Sequence, residues 1–413
     1  MTTTATTGSP VGTYPITASG QTSTNYTITY VNGTLTVGKA ALTITADNKN
    51  GQYSDPLPAF TATYSGFVLG QGPSDLGGTL SLSSGATSSS PAGAYAIVAS
   101  GHTSSNYAIT HLNGTLTVAK ENVALTYTGD SLVSTGSTST SSTTTVKMAA
   151  SVVEQADGNL GSQLGATKIK FTLYKANDTS MLSSPLTCTA TVVVPATYNG
   201  TGTAACSISG ATAENYVVKV EMLDNGYYAA NVDNGALTVV LAGTGFTTGG
   251  GWLTEPQLQT RSNFGFTVKY LKNANIQGNS LYIYRKTVAA NSVANPAGGF
   301  IPEGAYNWII KSNAMTGLTQ KCPTTTSYIG CTATFTGKST ITAVNRTTGV
   351  AYSLGGNNQF QVDVTDKGEP GSSSSTTPDT YALRVWDATG TYYQLGSAAL
   401  QLDINGGNIQ VRP

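Results

Sequence analysis

The chain has 413 residues with a formal net charge of +0, and only 10% of its residues are Asp, Glu, Lys or Arg. Soluble domains usually contain about 25% charged residues. A balanced, weakly charged chain lacks the basic patch that binds nucleic acid or an anionic membrane surface, so we expect neither partner. Thr, Ser and Gly are abundant instead, which is typical of extracellular β-modules, and the length suggests about three domains.

The first predicted element lies between residues 25 and 37, where the sequence reads NYTITYVNGTLTV. Large residues alternate with Thr on both sides of Asn32-Gly33. Alternation with a period of two is typical of strands with one buried face, and Asn-Gly favours the type I′ turn of a two-residue hairpin loop. The pattern therefore predicts a β-hairpin.

The same thirteen residues return almost unchanged at 106–118, as NYAITHLNGTLTV, 81 positions later. The same offset relates Tyr14 to Tyr95. A complete repeat then spans residues 40–121, and residues 1–39 match only its second half. We interpret the beginning of this sequence as the C-terminal half of a repeat followed by one complete copy.

Several residues of the complete copy follow the pattern of a known family. They are Tyr53, Asp55, Leu57-Pro58, the run from Thr61 to Val68, Tyr95, Ile97, Ala99-Ser100-Gly101 and the run from Asn106 to Val118. These residues resemble the MBG-type repeat of bacterial surface proteins, although Ser54 stands where that family often has glycine. The resemblance covers residues 1–121 and implies all-β modules of an exported protein.

Residues 122–242 contain short alternating runs that are separated by polar turns. This pattern predicts a β-sandwich of about seven strands. The residues Tyr127-Thr128-Gly129-Asp130, near the start, and Gly226-Tyr227-Tyr228-Ala229, before the last run, resemble a bacterial Ig-like domain. We therefore expect an Ig-like module here.

Residues 243–413 are richer in aromatic residues and show no helical periodicity, which again predicts strands and turns. The motifs are Gly249-Gly250-Gly251-Trp252, Asn263-Phe264-Gly265-Phe266, residues 366–371 and residues 407–411. They resemble the C-terminal β-domain of many secreted bacterial proteins, a resemblance that implies no activity. The whole chain is thus predicted to be all-β, with tandem MBG-type, Ig-like and β-sandwich modules at 1–39, 40–121, 122–242 and 243–413 in an elongated arrangement.

Four cysteines form two close pairs, Cys188 with Cys206 and Cys322 with Cys331, each within a predicted hairpin. Two local disulfides in an oxidising compartment are the favoured interpretation, and the first would link neighbouring strands. Zinc is the alternative, but no cysteine pair has the short spacing of zinc ligands. No apolar run reaches the roughly 18 residues of a membrane span, so we expect no transmembrane segment. The predicted disulfides and the composition favour an extracellular or cell-surface protein.

Candidate catalytic groups are few, since His102 and His111 are the only histidines. The positions 81 residues earlier hold Gln21 and Tyr30, so the repeat accepts other side chains there. General acid–base catalysis usually needs a histidine or a buried carboxylate. We therefore expect neither enzyme activity nor a cofactor, with calcium as the one ion to consider.

An acidic cluster surrounds the Gly-Glu-Pro-Gly turn at residues 368–371. Its members are Asp363, Asp366, Glu369 and Asp379. Calcium favours about six to eight oxygen ligands, which turn carboxylates and carbonyls can supply. The interpretation that we favour is a solvated turn in which Asp366 caps the backbone.

Aromatic side chains offer a second kind of site. Exposed rings can stack on the sugar rings of a glycan, and a packed sandwich needs the same residues in its core, so both interpretations stay open. The residues concerned are Trp252, Tyr282, Tyr284, Trp308, Trp386, Tyr392 and Tyr393.

The half-repeat leads to a hypothesis about function, because half a module exposes an apolar face and an unpaired strand edge. We expect a structural subunit of an extracellular bacterial surface fibre or filament, in which the half-repeat completes the sheet of a neighbouring copy, or of another surface protein, by strand addition. The alternatives are a ligand- or glycan-binding adhesin stalk and an accessory region of a secreted enzyme. The residues expected at the subunit interface are Tyr14, Ile16, Tyr26, Ile28, Tyr30, Leu35 and Val37.

Overall fold

The computed structural model describes residues 1–155, 158–176, 185–229, 231–243, 246–271, 275–324, 328–368 and 377–412. These residues confirm the all-β prediction, since their only helices are two single 3-10 turns, Pro73–Asp75 and Leu164–Ala166. The chain divides into two compact units, of which the first comprises residues 1–121 with 158–161. No helix among the described residues is long and apolar enough to cross a membrane.

The half-repeat, residues 1–39, forms one antiparallel sheet in the order β1–β2–β3. Its strands are β1 (Thr2–Thr3), β2 (Gly12–Thr17) and β3 (Gly33–Val37). β2 pairs with β3 from Gly12 opposite Val37 to Ile16 opposite Gly33. Residues 18–32, between these two strands, belong to no strand.

The complete repeat, residues 40–121, forms two sheets in the orders β6–β4–β9 and β5–β10–β8–β7. Its strands are β4 (Ala40–Ala46), β5 (Lys49–Gln52), β6 (Ala62–Ser65), β7 (Ser81–Ser84), β8 (Gly93–Ser100), β9 (Tyr107–Leu112) and β10 (Gly114–Ala119). β9 runs parallel to β4, and β10 runs parallel to β5. The first half of the repeat therefore supplies one partner strand for each of these two strands of the second half.

The predicted hairpin is wrong in both copies. In the complete repeat β9 and β10 lie in different sheets, and in the half-repeat only Gly33–Val37 of the motif is a strand. Gly114 does not adopt the positive φ of a type I′ turn. A Cβ atom at Gly114 would lie 2.4 Å from the Ala46 carbonyl oxygen, so glycine is needed here because the chain passes close to a neighbouring crossover.

Residues 122–242 form the predicted sandwich, with sheets in the orders β11–β13–β16 and β12–β18–β17–β14–β15. The strands are β11 (Val123–Tyr127), β12 (Leu132–Ser134), β13 (Thr143–Glu154), β14 (Lys168–Lys175), β15 (Leu186–Thr191), β16 (Thr201–Thr212), β17 (Asn215–Met222) and β18 (Val232–Val240). Cys188 of β15 is disulfide-bonded to Cys206 of β16. These are edge strands of the two sheets, so the bond closes one side of the sandwich instead of joining two strands of one sheet.

The C-terminal part forms a ten-stranded sheet in the order β28–β19–β20–β21–β22–β23–β24–β25–β26, with β27 paired to β25. The strands are β19 (Phe246–Glu255), β20 (Thr260–Tyr270), β21 (Ile276–Val288), β22 (Gly304–Lys321), β23 (Cys331–Asn345), β24 (Ala351–Asp366), β25 (Thr380–Asp387), β26 (Gly390–Leu395), β27 (Leu402–Asp403) and β28 (Gly406–Arg412). The Cys322–Cys331 disulfide closes the end of the β22–β23 hairpin, as predicted.

The ten-stranded sheet curls around one core. Phe264 of β20 stacks on Tyr381 of β25 with ring centroids 4.5 Å apart, although several strands separate them in the sheet. The outer face of the sheet packs on the sandwich through an apolar cluster that includes Val217, Ala236 and Ile283. The sandwich and the curled sheet therefore share a buried interface within the second compact unit.

A buried ion pair lies at this interface. The Asp233 carboxylate accepts hydrogen bonds from Arg285 Nε at 2.9 Å, from Arg285 Nη2 at 2.8 Å and from the Tyr127 backbone N–H at 2.8 Å. Burial alone raises the pKa of Asp233, but Arg285 and Arg346 together hold that pKa below its usual value. Because the charges are paired and hydrogen-bonded, the interface tolerates their burial.

Candidate functional site

A cleft of about 660 Å³ opens on the curled sheet beside the ends of several strands. Tyr284 of β21 and Trp308 of β22 form one wall, and they lie directly opposite each other in the sheet register. Tyr392 and Tyr393 of β26 form another wall, and Glu255 is the last residue of β19. Alternation along β21 places Lys286 on the same face as Tyr284, and Lys286 also lines the cleft.

The aromatic rings of the cleft form a stacked group. The Tyr284 and Tyr393 ring centroids are 4.4 Å apart with an interplanar angle of 19°, and those of Tyr284 and Trp308 are 5.8 Å apart at 21°. Tyr392 lies at the rim, 40% exposed, with its centroid 6.4 Å from that of Trp308. Stacked rings are rigid, so the cleft has a preformed aromatic wall.

Two buried polar atoms of the cleft, one carboxyl oxygen and one indole N–H, have no hydrogen-bond partner among the described residues. Among the described residues, no group is hydrogen-bonded to Glu255 Oε2 or to Trp308 Nε1, and these residues are 2% and 3% exposed. Burial raises the pKa of the Glu255 carboxyl, against the opposing effects of the Tyr393 hydroxyl and of the Lys286 charge. Buried polar groups in proteins are normally hydrogen-bonded, so this pair marks the cleft as a place where a ligand can supply the missing partners.

The other aromatic residues singled out in the sequence do not reach the cleft. Tyr282 is buried in the core, where its hydroxyl lies 3.0 Å from that of Tyr393. Trp252 is covered by the guanidinium of Arg261 at 4.2 Å, and Trp386 by that of Arg384 at 5.1 Å. Of the seven aromatic candidates, four therefore line one cleft: Tyr284, Trp308, Tyr392 and Tyr393.

Glu255 and Lys286 were not predicted from the sequence. The signal was present for Glu255, because it follows Leu253 by two residues in the same strand and Leu253 is fully buried. A period of two therefore places Glu255 on the core side of the sheet. A carboxylate on the apolar side of a strand is unusual and could have been recognised without a structure.

The members of the acidic cluster that the structure describes accept hydrogen bonds from the backbone and from side chains. Asp379 accepts a hydrogen bond from the Ile409 N–H at 2.7 Å, and Asp366 accepts one from the Val411 N–H at 3.0 Å. These donors belong to β28, whose outer edge pairs with no described strand, so the carboxylates satisfy N–H groups of that edge. Asp363 accepts hydrogen bonds from the Thr334 hydroxyl of the adjacent strand β23 and from the Gln361 amide of its own strand β24.

Glu369, the fourth predicted member of that cluster, lies outside the described residues. Within the part of the chain that the structure describes, no three His, Cys, Asp or Glu residues lie close enough to hold a metal ion. Asp366 caps backbone N–H groups, as in the favoured interpretation, and the Gly368 N–H is a second such donor at 3.0 Å. Asp366 is only 3% exposed, so the expectation that its carboxylate lies in a solvated turn is wrong.

Both histidines lie in the complete repeat, outside the aromatic cleft. His102 Nε2 lies 3.1 Å from the Tyr64 hydroxyl, and its Nδ1 lies 3.3 Å from the Gly77 carbonyl oxygen. His111 is a residue of β9 in the complete repeat. Neither histidine lines the aromatic cleft.

The predicted interface residues of the half-repeat are largely exposed. Tyr26 is 80% exposed, whereas its counterpart Tyr107 is 3% exposed, and Leu35 is 36% exposed, whereas Leu116 is fully buried. Ile28 and Tyr30 are exposed as well, and the partly buried members of the set are Tyr14, Ile16 and Val37. The half-repeat thus carries the apolar face of a core that the complete repeat buries.

The fold defines a modular all-β protein, and comparison with known families identifies one of its modules. The family model described as MBG domain (YGX type) matches residues 1–36 and 42–117. This match confirms the MBG-type repeat in the N-terminal part of the chain. No curated protein matches the chain.

One solved structure that matches is that of the N-terminal eight Ig domains of Down Syndrome Cell Adhesion Molecule isoform 1.30.30. The sequence identity is 10% and the TM-score is 0.18, over 96% of this chain and 58% of that one. The chain therefore spans little more than half of that structure, and so low a TM-score supports no argument about fold or function.

Proposed function

We propose that the protein is a non-catalytic structural component of an extracellular bacterial surface assembly, joined to a neighbour by β-strand addition at its half-repeat. One observation carries the proposal: residues 26–31 form no strand, whereas their counterparts in β9 pair in parallel with β4. Strand addition supplies main-chain hydrogen bonds to such a segment and pockets for alternate side chains. The disulfides suit an oxidising exterior.

The complete repeat supplies the register of the missing contact. Ala40 lies opposite Tyr107 and Thr45 opposite Leu112, while Lys49 lies opposite Leu116. In the proposed assembly the same register, moved by 81 residues, pairs a β4-type strand of the neighbour with residues 26–31 and a β5-type strand with residues 35–38. The completing element is therefore a β4–β5-type segment that crosses from one sheet to the other.

In the proposed assembly a neighbour brings this first-half segment. We take a neighbouring surface protein and a further copy of this chain as the two candidates for that neighbour.

Electron microscopy of the surface material tests this function. The full chain is compared with a variant that lacks residues 1–38, and we expect the deletion to abolish regular assembly because it removes the acceptor segment. Assemblies of unchanged length without residues 1–38 would refute strand addition at this end. Filaments formed by the purified full chain alone would instead favour identical copies as the neighbour.

A further inference from the structure

We propose that the aromatic cleft lined by Trp308 and Tyr392 binds a neutral sugar ring of a glycan, with the Glu255 carboxylate as its buried hydrogen-bond acceptor. This inference is independent of the half-repeat, which lies in the other compact unit. The cleft volume of about 660 Å³ falls within the range of about 300–1,000 Å³ that is usual for small-molecule sites.

The unsatisfied polar groups determine what the ligand must offer. Glu255 Oε2 needs a donor and Trp308 Nε1 needs an acceptor, and neither has one among the described residues. A hydroxyl group is both donor and acceptor, so a ligand with several hydroxyls can satisfy both groups at once. An apolar ligand would leave them unpaired, and an unpaired buried polar group is costly.

The charges of the cleft favour a neutral ligand. Glu255 and Lys286 both line it, so the site carries one negative and one positive group. The Lys286 ammonium lies 5.9 Å from the centre of the Trp308 ring, so a cationic ligand would meet a like charge at the aromatic wall. An anionic ligand would meet the Glu255 carboxylate, and like charges in contact reduce affinity.

The aromatic wall of the cleft favours a sugar ring as the ligand. A pyranose has an apolar face of C–H groups and an edge of hydroxyls, which matches a site with rings on one side and polar groups on the other. Tyr392 is exposed at the rim and Trp308 lies deeper. The Tyr284 ring stacks on both Trp308 and Tyr393, and Tyr392 contacts Trp308.

The test uses the full chain and defined oligosaccharides as probes: neutral tetramers of glucose, mannose, galactose and N-acetylglucosamine, with oligogalacturonate and chitosan tetramer as charged probes. Binding is measured by calorimetry. We expect at least one neutral tetramer to bind and both charged probes to bind more weakly. Failure of every neutral tetramer, or tighter binding of a charged probe, would overturn the proposal.

Two variants locate the site. Tyr392→Ala removes the exposed ring, and Glu255→Gln removes the carboxylate charge; each is expected to weaken binding about tenfold, as the loss of one aromatic or charge-assisted contact does. Trp386→Phe, an aromatic change outside the cleft, is the matched control and should leave affinity unchanged. Tyr392 is exposed, so this variant is expected to fold, and unchanged binding by it would place the glycan elsewhere.

Discussion

Residues 106–118 and residues 25–37 share nearly one sequence and differ in structure. The first segment forms β9 and β10, each paired with a strand of the first half of the repeat, whereas the second forms only β3. Tyr107 is 3% exposed and its counterpart Tyr26 is 80% exposed. Because the sequences agree, the difference arises from the neighbours: β4 and β5 lie beside one copy, and no described strand lies in those places beside the other.

This difference teaches what alternation does and does not specify. A period of two fixes which side chains face the core, but a strand forms only where a second strand takes up its hydrogen bonds. Residues 26–31 have the first property without the second. They are therefore the segment of the molecule whose structure should change most when a partner binds.

The largest expected effect comes from truncating the same tyrosine in the two copies. Tyr107→Ala removes a buried ring and the hydrogen bond from its hydroxyl to Gln71 Oε1 at 2.5 Å, and should lower the stability of the complete repeat by about 3–5 kcal/mol. Native-state hydrogen exchange of β4 and β9 amides in the full chain measures this loss.

Tyr26→Ala is the matched control in the half-repeat. Because Tyr26 is exposed, its truncation should change the free energy of unfolding by less than about 0.5 kcal/mol. If both variants lost the same free energy of unfolding, Tyr26 would be buried in solution. The structural difference between the two copies would then be contradicted.

Substituting the glycine of the motif in each copy is expected to give a smaller difference in stability. A Cβ at Gly114 would meet the Ala46 carbonyl oxygen at 2.4 Å, whereas a Cβ at Gly33 would lie 3.6 Å from Ile16 Cβ. Gly114→Ala should therefore destabilise the complete repeat by about 1–3 kcal/mol through overpacking. Gly33→Ala should have almost no effect. Thermal unfolding of both variants measures the two changes, and a larger loss of stability for Gly33→Ala than for Gly114→Ala would contradict this prediction.

The smallest expected effect is a lowered pKa of Asp47, a residue of the first half of the complete repeat that has no counterpart in residues 1–39. The hydroxyls of Thr61 and Thr63 donate to the Asp47 carboxylate at 2.5 and 2.7 Å and hold the pKa of Asp47 below its usual value. A depressed folded-state pKa gives stability that is present above the unfolded value of about 3.9 and is lost as the pH falls through the folded value.

Carbon-detected NMR titration of Asp47 in the full chain checks this prediction. We expect a midpoint below that of an unstructured aspartate, and Thr63→Val should raise it because one donor is lost. If Thr63→Val does not change the titration midpoint of Asp47, the contact between β6 and the end of β4 does not form.

Much of the fold could be predicted from the sequence, because repeats and alternation are local patterns. The complete repeat, the sandwich and both disulfide pairs were recognised in this way. The hairpin was wrong because Asn113-Gly114 is compatible with a turn and with a crossover between sheets, and only the close approach to Ala46 distinguishes them. That approach depends on a residue far away in sequence.

The sequence predicted the residue types of the candidate site but not which of those residues come together in space. Four of the seven aromatic candidates meet in one cleft, but the sequence does not show that Tyr284 and Tyr393 become neighbours through the curl of a ten-stranded sheet. The same curl brings Asp366 and Asp379 to the edge of β28. Such contacts follow from tertiary closure, which local patterns do not encode.

Hydrogen exchange of the full chain with and without a synthetic peptide tests the central claim, that the half-repeat accepts a β4–β5-type segment. The peptide copies residues 40–52, AALTITADNKNGQ, and a scrambled peptide is the control. The account predicts fast exchange of the amides of residues 26–31 in the chain alone, protection of these amides and those of residues 35–37 by the peptide, and no change in β9. Absence of protection, or equal protection by the scrambled peptide, would contradict the account.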